Sequence, residues 1–351
     1  MKVAFYPELE KLSGNPYWDM LVSGLQTRGV EIVSGGNGGR RWLLKNRGKV
    51  QVLHFHFIQQ FYGYEKTRAR LPWVLRFMTN LLLAKSLGYQ TVFTVHDLRP
   101  TWPLLPRWVD YLGHWSAVTL CNQIIVHCRI AARSIQTIYG RKSDICVVTH
   151  ANYCEYYPNS IGKLEARKIL GIEDGSKVFG FFGGIRPNKG VEQLIDCFKR
   201  TNADNAILLI AGKSWPPFEY TQNLLNLAQE DRRIRMQIGF VPDERVQIYL
   251  NAMDWVVLPF REILTSGSTL LAMSFARPVI APQSGCLPEV LKPESGIPYS
   301  PDHLDGLYEA MQKALVMDAD RMGQQAFEQV RPFTLQRMAD ETLNVYWRGK
   351  K

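Results

Sequence analysis

A chain of 351 residues is too long for one ordinary hydrophobic core, and its 46% apolar residues are enough to fill two. Its six cysteines, Cys121, Cys128, Cys146, Cys154, Cys197 and Cys286, form no C-x-x-C pair or His/Cys cluster, which points to reduced thiols and away from a disulfide frame or zinc site. The net charge of +10 lies wholly in the first half: up to residue 155 there are 19 Lys and Arg against 9 Asp and Glu, and beyond it 23 against 23. That asymmetry predicts an anionic partner for the first half, whether acidic membrane, phosphorylated substrate or nucleic acid.

The chain opens on MKVAFYPELE, one short strand turning acidic, without the apolar core and cleavage site of a signal peptide. No apolar run is long enough to span a bilayer, so the expected location is cytoplasmic. Strand-like and helical stretches then alternate: Val3–Tyr6, a helix over Pro16–Arg28, Val30–Val33, Val50–Phe55, a long helical stretch, Thr91–Val95, another helix, Gln123–Val126 and Ile145–Thr149. The pattern pauses in ANYCEYYPNSIGK and restarts with strands at Lys177–Phe182, Ala206–Ala211, Arg233–Ile238, Trp255–Leu258 and Pro278–Ala281. Helices are expected between them at Gly190–Lys199, Pro242–Asn251 and Ser268–Ala276, with a last one over Phe333–Trp347. Alternation of this kind predicts α/β architecture: two Rossmann-like domains with parallel sheets, facing a central cleft. The divisions read from the sequence are 1–155, 156–330 and a terminal helix over 331–351.

Ligands of such sheets lie beyond the carboxyl ends of the strands, so the loops that follow strands carry the chemistry. In Ser13-Gly14-Asn15-Pro16-Tyr17 a proline suits the first helical turn, and the loop is a candidate for the acceptor side through Gly14, Asn15 and Tyr17. In TVHDLRPTW, His96 can donate a hydrogen bond to a sugar hydroxyl or a phosphate, and Asp97 can orient it or accept a proton. His54 and His56 lack a carboxylate or cysteine partner nearby in sequence, so they read as structural or cleft-lining, not as a metal site.

FFGGIRPNKGVEQLI is the most specific signal. A strand ends in Gly183-Gly184, Arg186 and Lys189 follow, and Gly190 opens an amphipathic helix. Two cations beside free helix N–H groups make a diphosphate clamp. In VVLPFREILTSGSTLLAMSFARPVIAP, the loop with Glu262, Thr265, Ser266, Gly267 and Ser268 enters another helix, where hydroxyls, bare amides and the helix dipole suit an anion. Helix capping by Thr265 or Ser266 is the plainer alternative. Gly239 and Val241, ending a further strand in GFVPDE, are candidates for holding a nucleotide base against their backbone.

With these loops in place the whole chain resembles a GT-B glycosyltransferase, and within that fold glycosyltransferase family 4. GGIRPNKG, GFVPDE, the LPFREILTSGSTLLAMSFARPVIAP block and LPEV carry the resemblance, and the FREILTSGS wording resembles a bacterial subgroup of polysaccharide assembly. The resemblance implies transfer of a sugar from a nucleoside-diphosphate donor, UDP- or GDP-linked, to an acceptor hydroxyl, with no metal and no cofactor. Arg186 and Lys189 match the cations that neutralise the departing diphosphate, His96 a residue near the donor sugar, and Ser266, Gly267 and Ser268 the loop touching the phosphates. One departure stands out: the family has two glutamates eight positions apart, and here Ile263 beside Glu262 aligns with the first and Leu271 with the second. Leucine accepts no hydrogen bond from a ribose hydroxyl, which leaves Glu262 to serve alone and the retaining or inverting outcome open. An inverting reaction would need a base, for which Asp97 and Glu8 are the candidates.

Residues Phe57–Leu87 mix aromatics with Lys66, Arg68, Arg70 and Arg76, the composition of an interfacial helix on an anionic membrane. This suggests a lipid-linked acceptor received at the inner face of the cell membrane, the alternative being an apolar face that covers the sheet. Two other classes stay open: a sugar-nucleotide epimerase, and a non-catalytic sugar-nucleotide or lipid-binding partner. No nucleic-acid module is legible.

Overall fold

The computed structural model describes residues 1–7, 15–64, 68–99 and 104–348. The chain divides into two compact units, the first running to Ala151 and resuming at Phe333, the second spanning Asn152–Pro332.

Unit 1 holds β1 (Lys2–Tyr6), α1 (Pro16–Gln26), β2 (Glu31–Ser34), α2 (Arg40–Asn46), β3 (Val52–Phe55), a short hairpin β4 (Gly63–Tyr64) and β5 (Arg68–Ala69), α3 (Leu71–Ser86), β6 (Gln90–Thr94), α4 (Arg107–Leu120), β7 (Gln123–Val126), α5 (Arg129–Tyr139) and β8 (Ile145–Val147). Six of these strands form one parallel sheet in the order β2-β1-β3-β6-β7-β8, with Val3 opposite Val52 and Val52 opposite Gln90. The inner strands are buried on both faces, which is why they read as apolar runs and not as alternation.

Unit 2 supplies α6 (Lys163–Ile169), β9 (Lys177–Phe182), α7 (Val191–Lys199), β10 (Ala206–Gly212), α8 (Phe218–Gln229), β11 (Ile234–Ile238), α9 (Asp243–Ala252), β12 (Trp255–Val257), α10 (Gly267–Ser274), β13 (Val279–Pro282), α11 (Leu287–Val290), β14 (Gly296–Tyr299), α12 (Gly306–Val316) and α13 (Ala319–Val330). Its strands make a second six-stranded parallel sheet, ordered β11-β10-β9-β12-β13-β14. The start of β9 is pinned by the buried Asp254, which accepts from Val178 N–H at 2.7 Å and pairs with Arg167 at 2.8 Å and Lys163 at 2.6 Å.

The last helix, α14 (Leu335–Arg348), belongs to unit 1 and packs on α1. Met338, Ala339, Val345 and Tyr346 are its buried face. Asp340 accepts from Arg28 Nη2 at 2.8 Å, Glu341 from the Thr149 N–H at 2.6 Å, and the Tyr346 hydroxyl meets His54 Nδ1 at 2.7 Å.

Residues 57–87 are not one amphipathic helix. Ile58–Phe61 make a 3-10 turn, the β4–β5 hairpin follows, and only then does α3 begin. Tyr62 and Phe77 are buried, and Phe61 packs against Tyr6, Phe55 and Phe77, so these rings are core and not a membrane face. Lys66 lies outside the described residues. No helix among the described residues is long and apolar enough to cross a membrane. Cys121, Cys146, Cys154 and Cys197 are free thiols.

Candidate active site

In unit 2, three strand-end loops are stitched together. After β9, the Ile185 N–H bonds to Lys213 O at 2.9 Å and the Trp215 N–H returns to Ile185 O at 3.1 Å, tying this loop to the one after β10. Arg186 then caps a 3-10 turn over Pro187–Lys189. Gly190 ends that turn at φ +67°, and a Cβ there would fall 2.1 Å from Pro259 O, so only glycine lets the turn lie against the loop that follows β12. That second loop is held in return: the Arg261 N–H bonds to Asn188 O at 3.0 Å, and the Arg261 guanidinium pairs with Glu192 in the first turn of α7. The Lys189 ammonium lies over the Phe260 ring, 4.4 Å from its centroid.

These ties bring α10 to the same edge. A Cβ added to Gly183 would meet the Ser268 hydroxyl at 3.1 Å, which places the first turn of α10 beside the end of β9. Ser266 is the N-cap, its hydroxyl accepting from the Thr269 N–H at 3.1 Å. The capping alternative thus holds for Ser266, while the amides of Gly267 and Ser268, in the first turn, have no acceptor within the helix. Thr265, Ser266, Gly267 and Ser268 are all partly exposed. Glu262 is exposed and joins no ion pair among the described residues, and Leu271 is buried on α10.

Gly239 follows β11, its N–H bonded to Gly212 O at 3.0 Å, so it and Gly183 both adjoin the end of β10. Val241 is partly exposed, and Gly184 lies against Trp215. Sequence reading missed Lys213 and Trp215. The Trp215 ring, 42% exposed, lies near two cations, 5.0 Å from Lys213 Nζ and 5.1 Å from the Arg186 guanidinium carbon. The signal was present in AGKSW, which leaves an apolar strand just as GGIRP does.

At the carboxyl edge of the unit 1 sheet, one ring gathers the candidates. Tyr17 lies against His96, His150, His127 and His56 at centroid distances of 5.0, 5.1, 5.6 and 6.0 Å. Asn15 caps α1, its carbonyl accepting from the Tyr17 N–H at 3.2 Å, and Gly14 lies outside the described residues, as does Glu8. His54 and His56 are both buried, in keeping with their reading as structural or cleft-lining side chains. His56 Nδ1 is 3.0 Å from His96 Nε2, and His54 is held between Tyr346 and the Thr94 hydroxyl, 2.7 Å from each. Asp97 follows, partly exposed. Burial lowers the pKa of every imidazole here, His54 and His150 to about 3, and the neighbouring imidazoles lower most of them further. At neutral pH these imidazoles are uncharged donors and acceptors. Among the described residues no group of three or more His, Cys, Asp or Glu is arranged to hold a metal ion.

Comparison with known proteins joins these observations. Residues 176–316 match the family described as glycosyl transferases group 1. The chain is similar to a GDP-mannose:glycolipid 4-beta-D-mannosyltransferase of Xanthomonas campestris pv. campestris, 26% identical over 297 residues that cover 80% of this chain and 74% of that protein. Among solved structures it superposes on a sucrose-phosphate synthase from Thermosynechococcus elongatus with a TM-score of 0.79, at 16% identity over 99% and 98% of the two chains. It also superposes on Anabaena Alr3699/HepE in complex with UDP-glucose with a TM-score of 0.74, at 15% identity over 98% and 99%. The stitched strand-end loops of β9, β10 and β12 fall inside the segment that matches glycosyl transferases group 1, and the chain as a whole has the GT-B fold of the solved structures it superposes on.

Proposed function

We propose that unit 2 holds a nucleoside-diphosphate sugar, its diphosphate met by Arg186, Lys189 and the first turn of α10 (Thr265, Ser266, Gly267 and Ser268). The observation that carries this reading is the stitching of the loops after β9 and β12, which holds the segment bearing Arg186 and Lys189 close to the loop that leads into α10. Such preset donors act where charge develops. The bond between the anomeric carbon and the diphosphate oxygen breaks, a bond to the acceptor oxygen forms, the nucleoside diphosphate departs, and the acceptor's proton passes to a base or to the leaving phosphate. Gly183, Gly184, Gly239 and Val241 take the nucleotide, and Glu262 takes the ribose contact that Leu271 lacks. His96, Asp97, Asn15, Tyr17 and Gly14 serve the reacting sugar and the acceptor, and no metal takes part.

The acceptor in this reading is a lipid-linked glycan, in line with the printed activity of the Xanthomonas relative, which also favours a GDP-linked donor. A surface of unit 1 supports this reading. The Ala69 N–H bonds to Leu105 O at 2.8 Å, which brings the start of α3 beside the start of α4. There Trp73, Leu75, Leu105 (61% exposed) and Trp108 (60% exposed) face solvent among exposed Arg70, Arg76 and Arg107. Aromatic and leucine side chains ringed by arginines suit the headgroup region of an anionic bilayer.

Thermal stabilisation by UDP, GDP, ADP and their sugars tests the donor site. A hundredfold excess over the dissociation constant adds about 2.7 kcal/mol, and Arg186→Ala should weaken the shift. No shift with any nucleotide would sink the proposal. Flotation with liposomes tests the surface: equal binding to neutral and anionic vesicles, or none, would remove the membrane reading.

A further inference from the structure

Two neutral imidazoles 3.0 Å apart share one proton, and who owns it decides what His96 can do. The His56 and His96 rings are close to coplanar, 24° apart, which is the geometry of an in-plane N–H···N bond between His56 Nδ1 and His96 Nε2. His56 is buried, and its Nε2 meets no hydrogen-bond partner among the described residues. Were the proton on His96 Nε2, His56 would carry its own on Nε2, leaving a buried N–H without an acceptor. With the shared proton on His56 Nδ1, the orphan is only a lone pair. Orphaned buried N–H groups are the rarer and costlier of the two.

We propose that His56 is a positioning residue: its Nδ1–H donates to His96 Nε2 and holds His96 in the tautomer protonated on Nδ1. His96 then works as a hydrogen-bond donor to a substrate hydroxyl or phosphate oxygen, and not as the base that takes the acceptor's proton. The inference rests on the reading of His96 as a substrate-facing group. His54, His127, Tyr17, Trp18, Phe5 and Phe57 pack around the pair, with His150 beyond Tyr17, and burial keeps the imidazoles among them uncharged at neutral pH. In an inverting mechanism the base must then be sought among carboxylates, Asp97 included.

Long-range proton–nitrogen correlation spectra of the full chain with nitrogen-15 histidine read the tautomer directly, with His96→Gln assigning the signals. The expected result is a protonated Nδ1 and a bare Nε2 on His96, retained in His56→Asn, whose amide keeps a donor at the Nδ1 position, and lost in His56→Leu. In turnover assays His96→Asn, a donor that takes up no proton, should keep kcat within about tenfold of wild type, while His96→Ala should lose about a hundredfold or more. A proton on His96 Nε2, or His96→Asn as inactive as His96→Ala, overturns the proposal. A wild-type rate in His96→Ala overturns instead the placement of His96 against the substrate, and the spectra distinguish the two failures because they need no activity.

Discussion

Lowering the pH from 7.5 to 5.0 should destabilise unit 1 selectively. His54 and His114 are buried in its core, and burial lowers their pKa values to about 3 and about 4. A histidine whose folded pKa lies below its unfolded value of about 6.5 contributes nothing against folding above that pH, and below it the unfolded chain takes up a proton that the fold refuses. Each such group removes about 1.4 kcal/mol per pH unit, so by pH 5 each has removed about 2 kcal/mol and the pair about 4. Against a typical domain stability of about 5–15 kcal/mol that is a large fraction. His56, also buried and shifted the same way, adds to it. Unit 2 has a single histidine, the exposed His303. Its Asp231 and Asp320, with lowered pKa values, lose their stabilising charge only at pH values below the ordinary carboxylate range. Hydrogen exchange followed by mass spectrometry at pH 7.5, 6.5, 5.5 and 5.0, corrected for intrinsic exchange rates, separates the units. Peptides from β3 and β6 should lose protection steeply while those from β9 and β10 hold theirs. A loss below about 1 kcal/mol in the unit 1 strands across that range would refute the reasoning.

Three further perturbations have definite outcomes. Gly212→Ala would put a Cβ 1.8 Å from Gly183 O at φ +151°, so unit 2 should lose about 2–4 kcal/mol in chemical denaturation and the donor-induced thermal shift should vanish; an unchanged midpoint contradicts this. Asp254→Ala leaves the Arg167 guanidinium buried without its carboxylate and should cost about 3–5 kcal/mol, most of it recovered in Asp254→Leu with Arg167→Met. Tyr346→Phe removes one hydroxyl from His54 Nδ1 and should destabilise unit 1 by about 1–3 kcal/mol with donor binding unchanged.

Eleven of the twelve strands of the two parallel sheets were legible because strands buried on both faces leave continuous apolar runs, as AILLIAG and KVFGFF do, and their ends came out within a residue or two; β14, the edge strand GIPY, was missed. The loops drew attention for a related reason: glycines and cations directly after such runs stand out, which is why Arg186 and Lys189 were singled out. Residues 57–87 were misread because period and composition do not distinguish a ring that faces a sheet from one that faces lipid; Tyr62 and Phe77 went to the core, while Trp73 on the same stretch stayed outside. The histidine cluster was invisible for a different reason. His54, His56, His96, His127 and His150 come from four strand ends, and only the strand order β3-β6-β7-β8 makes them neighbours. Ser266 shows the limit of motif reading from the other side, since the same hydroxyl that suits an anion also caps its own helix.

The position of α14 has a consequence for how the molecule is made. Unit 1 is interrupted: its sheet is complete by β8, yet the helix that covers α1 and supplies the partner of His54 is synthesised only after all of unit 2. At about 5–20 residues per second a ribosome needs some tens of seconds at most to cover that gap. During it the nascent first half waits with α1 uncovered and His54 without its Tyr346 partner, while unit 2, whose segment is continuous, can close as soon as it emerges. A stop codon between Phe333 and Leu335 therefore leaves unit 2 whole and deprives unit 1 of its last helix.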